Sequence, residues 1–141
     1  MKKLFWDTNI VLDLLGERNP FYLFPARIAT LAEQNKCTLL CSGLTLATAY
    51  YILEKHENKA IAFDKISRFK QITSITIIDE QVITRALESD FSDFEDAIQH
   101  FSAVKAMADI IITRNAKDFK TSAIPVMTAK QYLALIDDPL L

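Results

Sequence analysis

Apolar positions along the chain change period repeatedly. Short runs rich in Leu, Ile, Val and aromatic residues, at 4–6, 38–41, 75–78, 110–112 and 126–127, have the length and composition of buried strands. Between them apolar residues recur every three or four positions, which predicts helices over 8–16, 22–35, 43–56, 58–71, 80–89, 93–107 and 129–136. Nearly uninterrupted apolar strands alternating with amphipathic helices call for a parallel sheet covered on both faces. The expected fold is a three-layer α/β/α sandwich around a central parallel sheet of about five strands. Residues 1–141 are expected to form one domain.

Composition adds exclusions rather than detail. Two Gly and four Pro leave no room for a low-complexity linker. A net charge of −2 and a pI of about 5.7 give no bulk attraction to nucleic acid, so phosphate contacts would need a local basic patch. Met1-Lys2-Lys3 resembles the start of a signal peptide, but Asp7, Asn9 and Asp13 interrupt the apolar stretch and no small-residue cleavage site follows. No window is long and apolar enough to span a membrane, and a cytoplasmic location is expected. Cys37 and Cys41 fall on one face of a strand in "CTLLCS" and are read as buried free thiols.

Parallel sheets place ligands at the carboxyl ends of their strands, where strand order reverses. Asp7 follows the first strand, Ser42 the second, and Thr113, Asn115 and Asp118 the fourth, while Asp93 and Asp96 open the helix before it. Separate segments therefore deliver carboxylates to one edge of the sheet. Crowded carboxylates repel unless a cation sits between them, and hard ions such as Mg²⁺ and Mn²⁺ take oxygen ligands. Such a site supports hydrolysis of phosphodiesters.

Several of these residues also have plainer roles. Asp7 can cap the helix that follows, as can Ser42 and Thr45 for the third helix. "SDFE" at 92–95 has the spacing of a capping box, with Ser92 as the cap and Glu95 structural. Asp13 is expected to be solvated, and His56 and His100 to be surface or half-buried residues without metal partners. No glycine-rich phosphate loop is present, which argues against a small phosphatase or nucleotidase, and no motif for nucleophilic or zinc catalysis occurs.

The segments "DTNIVLDLL" at 7–15, "SGLTLATAYYIL" at 42–53, "DFEDAIQHFSA" at 93–103 and "IITRNAKDF" at 111–119 resemble, in order, those of the PIN-domain family. That family includes metal-dependent ribonucleases and the VapC-type toxins of bacterial toxin–antitoxin pairs. The resemblance implies Asp7, Asp96 and Asp118 as catalytic metal ligands for Mg²⁺ or Mn²⁺, with Asn115 as a further metal residue, and Asp93 is expected to assist in holding the metal. Asn9 would orient Asp7, and Ser42, Thr48 and Thr113 would support the site. Arg114, Lys117 and Lys120 lie beside the acidic cluster and would hold the RNA backbone. RNA as substrate, an antitoxin protein and a homodimer are the implied partners.

One departure stands out. The family carries a Glu in the third helix, in a run like "LTLTELYY". Here the run is "LTLATAYY", with Thr48 at that position. Glu54 lies about 240° further round the helix and cannot replace it. The departure favours an alternative in which the chain is a catalytically degenerate PIN domain that binds nucleic acid or protein.

Overall fold

A computed structural model of the chain describes residues 1–139. Five strands form one all-parallel sheet: β1 (Lys3–Trp6), β2 (Thr38–Ser42), β3 (Thr73–Thr76), β4 (Ile110–Ile112) and β5 (Val126–Met127), in the order β3-β2-β1-β4-β5. Seven helices accompany them: α1 (Thr8–Leu15), α2 (Leu23–Glu33), α3 (Gly43–His56), α4 (Lys59–Lys70), α5 (Glu80–Leu87), α6 (Phe94–Lys105) and α7 (Ala129–Leu135). A 3₁₀ turn spans Ala116–Phe119. No described helix is long and apolar enough to cross a membrane.

The sheet is greasy on both faces because helices cover both. Successive side chains of a strand point to opposite faces. Leu4 and Trp6 of β1 therefore pack with Leu39, Cys41, Ile110 and Ile112 against α1, α2 and α7. Phe5 joins Leu40 and Ile111 on the other side, against Ala103 of α6 and Phe119. Val82 and Ala86 of α5 then pack on Ala97 and Ile98 of α6 to complete that layer. The cysteines are buried and free, and burial pushes their thiols up to about 11 for Cys37 and about 12 for Cys41.

Strand three departs from the apolar pattern, which predicts 75–78. The edge strand is fixed by its ladder with β2, from Leu39↔Thr73 to Ser42↔Thr76, and Ile75 and Ile77 are left exposed. The strand stops where Ser102 Oγ of α6 donates to Ile77 O at 2.7 Å. Three side-chain expectations are also corrected. Asp93, not Ser92, caps α6, its Oδ1 accepting Asp96 N at 2.9 Å. Asp13 is buried, because Arg114 and Arg18 neutralise it. His100 is buried as well, its ring packed beside Phe91 and Phe101 and its Nε2 accepting Ala123 N at 3.1 Å. Burial pushes His100 down to about 4, so it is a neutral core residue.

Chain order places the ligand crevice. From β1 the chain moves outward through β2 and β3, then returns to β4 on the opposite flank of β1. The reversal lies between β1 and β4, and Asp7 and Thr113 follow directly from those two strands.

Candidate active site

Asp7 leaves β1 in extended conformation and is the N-cap of α1, with Oδ1 accepting Thr8 N at 2.9 Å. Its other oxygen, Oδ2, accepts the Thr113 hydroxyl at 2.9 Å. That hydroxyl in turn accepts Asn115 N at 3.1 Å, so its single proton is committed to Asp7. Burial raises the Asp7 pKa; Thr113 and Thr8 oppose the rise, the Asp118 charge adds to it, and the nearby Gln99 amide lowers it slightly. Asn9 makes no hydrogen bond to Asp7 among the described residues; the Thr113 hydroxyl is the side chain that donates to it.

Asp96 sits on the first turn of α6, half-buried and with no hydrogen bond or ion pair to its carboxylate among the described residues. Burial pushes it up to about 7, reinforced by the negative charges of Asp93, Asp7, Asp118 and Glu95. Asp118 is exposed on the 3₁₀ turn, likewise without a cation among the described residues. Separate chain segments thus bring carboxylates close enough to feel one another. The arrangement is nevertheless open: among the described residues, no three Asp, Glu, His or Cys side chains group closely enough to hold a metal by themselves. Asp93 has spent one oxygen on its cap.

Beneath Asp7 lies a buried polar cluster that the sequence does not announce. Gln99, fully buried on α6, donates from Nε2 to Thr8 Oγ1 at 3.1 Å and to Thr45 Oγ1 at 2.6 Å, and its Oε1 accepts Ser42 Oγ at 2.5 Å. Thr8 and Thr45 hydroxyls also meet at 2.9 Å, and Ser42 caps α3 by accepting Thr45 N at 3.1 Å. The one signal in the sequence is spacing, since Gln99 is three residues after Asp96 and so shares its helix face. Thr48 lies one turn beyond Thr45 on α3 and is half-buried.

The expected basic patch divides. Lys117 and Lys120 are exposed beside Asp118. Arg114 is turned away: its guanidinium grips Asp13 at 2.8 and 3.2 Å and stacks 3.9 Å over the Phe21 ring.

Residues 3–117 match the family model described as PIN domain. The chain is 28% identical over 136 residues to ribonuclease VapC1 of Aquifex aeolicus, with 93% of each chain covered. Among solved structures it resembles VapBC-1 from nontypeable Haemophilus influenzae, with a TM-score of 0.67 and 17% identity over 91% of this chain and 98% of that one. It also resembles a toxin–antitoxin complex from Klebsiella pneumoniae, with a TM-score of 0.61 and 24% identity over 89% and 97% of the two chains. An all-parallel sheet with Asp7 and Thr113 meeting at its switch point, and a family match across most of its length, make this chain a member of the PIN-domain family.

Proposed function

We propose that the chain is an endoribonuclease of the VapC toxin type, hydrolysing RNA phosphodiesters with Mg²⁺ or Mn²⁺ held by Asp7, Asp96 and Asp118. The observation that carries this reading is the set of carboxylates at the switch point with no cation paired to them among the described residues, Asp96 being raised to about 7 by burial and by its acidic neighbours. The kinship with a ribonuclease supports it.

The donor set suits a hard divalent ion. Every candidate atom is oxygen, and the Asp96 and Asp118 carboxylates have no other partner among the described residues. Because the three carboxylates do not close around one point by themselves, an ion here would be bound directly by one or two of them and reach the rest through water, with substrate oxygens completing its shell, which is the usual manner of Mg²⁺. Asn115, whose N–H donates to Thr113, and Asp93, whose charge bears on Asp96, would assist. An ion bound there would activate water and offset charge on the phosphate oxygens. The protein's own part is orientation: Thr113 and Thr8 N fix both oxygens of Asp7, while Lys117 and Lys120 offer positive charge to the RNA backbone.

An antitoxin and a second copy of the chain are the proposed partners, the first supported by structural neighbours that are VapBC complexes. Thr48 favours one second reading, a PIN domain that binds RNA or protein without cutting. The two readings part in one assay. The nuclease reading expects RNA cleavage that needs Mn²⁺ or Mg²⁺ and stops with EDTA or with Asp7→Asn. Binding without cleavage favours the second reading, and cleavage that survives both treatments removes Asp7 and the metal from the mechanism.

A further inference from the structure

We infer that Gln99 is a positioning residue that fixes the distance between Asp96 and Asp7, by locking the first turns of α6 to the starts of α1 and α3. The inference rests on the reading of those two carboxylates as members, with Asp118, of the metal-holding set. Mechanically the link is short. Gln99 is one helical turn from Asp96, and the Thr8 hydroxyl it grips belongs to the residue whose N–H holds Asp7 Oδ1.

The chemistry calls for an amide. Nε2 has two protons and uses both, on Thr8 and Thr45. Oε1 takes the proton of Ser42, whose own oxygen is already accepting Thr45 N. Four side chains from α1, α3, α6 and the end of β2 are thereby satisfied in a space closed to water. Apolar residues would join these elements without any cost of burying polar groups. Directional bonds add a set separation, which packing alone does not impose.

The test compares Gln99→Met, which keeps length but removes all three bonds, with Thr76→Val. Thr76 makes a buried hydroxyl pair with Ser102 at 2.6 Å, one turn further along α6 and on the side of β3. Both variants should lower the melting temperature. Only Gln99→Met should weaken Mn²⁺ binding, measured by calorimetry on folded protein, by roughly ten- to a hundredfold, the range seen when groups behind metal ligands are removed. Only Gln99→Met should also move the ¹³C carboxyl resonances of Asp7 and Asp96 in metal-free protein. Ser42→Ala, which removes one bond to Gln99, should move them less in the same direction and covers the case in which Gln99→Met does not fold. Equal effects from Gln99→Met and Thr76→Val, or unmoved resonances in Gln99→Met or Ser42→Ala, overturn the inference. If the wild type binds no Mn²⁺ and cuts no RNA, the nuclease reading fails, and the resonances still decide whether Gln99 sets the carboxylates.

Discussion

Arg114 reaches back across the sheet edge to Asp13, a residue 101 positions earlier, and holds both of its oxygens, at 2.8 and 3.2 Å. Asp13 is fully buried and Arg114 is the residue after Thr113, so the ion pair runs beside the Thr113–Asp7 bond and ties the same two segments. Arg114 is therefore a strut of the fold.

Removing the guanidinium should be costly. Arg114→Ala leaves a buried carboxylate with only Arg18, 3.9 Å away, and takes the cation from the face of Phe21. Breaking a buried pair from one side costs about 3–5 kcal/mol, and Arg18 and partial exposure of Arg114 should bring this to the lower end. Denaturant unfolding should show that loss, and Arg114→Ala, Asp13→Asn together should lose less than Arg114→Ala alone.

The exposed lysines should behave differently. Lys117→Ala and Lys120→Ala should leave the unfolding midpoint nearly unchanged and weaken RNA binding. For each lysine that neutralises a phosphate, its removal should reduce the slope of log K against log salt by about 0.7 for a single strand. An unchanged slope in both variants removes them from the RNA path.

Acidity should have an unusual sign. The folded protein holds the Asp96 proton up to about 7, above the ordinary carboxylate value of 3.8. Stability from this group is fully present below the unfolded value and is lost as pH rises through about 7. His100, lowered to about 4, acts in the opposite sense over part of that range, losing stability as pH falls below its unfolded value. Comparing wild type with Asp96→Asn isolates the carboxylate. Without metal, Asp96→Asn should gain in relative stability as pH rises from about 4 to about 8, and Mn²⁺ should stabilise the wild type more than the variant.

Thr48 offers a gain-of-function test. Thr48→Glu adds a like charge near an acidic cluster, so metal-free protein should melt lower. With Mn²⁺ the same variant should bind the ion more tightly and, if the nuclease reading holds, cut RNA faster, by roughly a hundredfold for one well-placed charged group. Unchanged affinity and rate in a folded variant would show that Thr48 does not face the carboxylates.

Much of this architecture is legible in the chain. Helix α3 runs over the predicted 43–56 because Ser42 both ends a strand and caps the turn after it. The residues of β4 and β5 are those of their apolar runs. The departures share a cause, which is that long-range partners override local pattern. Asp13 reads as solvated until Arg114 arrives. His100 reads as polar until Phe91 and Phe101 enclose it, and β3 follows its ladder with β2 instead of its isoleucines. Gln99 is silent because an amide on an amphipathic helix looks like a surface residue, and its three partners come from sequence separations of 54 to 91 residues.

The central place of β1 bears on when the molecule acquires its chemistry. This strand is flanked on one side by β2, made early, and on the other by β4, made more than a hundred residues after Lys3. During synthesis the chain can pair β1, β2 and β3 while Asp7 still lacks Thr113, and Asp13 still lacks Arg114. A nascent chain halted before β4 therefore carries a half-sheet with its switch point unformed. Whatever chemistry Asp7 supports waits on the late segment that carries Thr113 and Arg114.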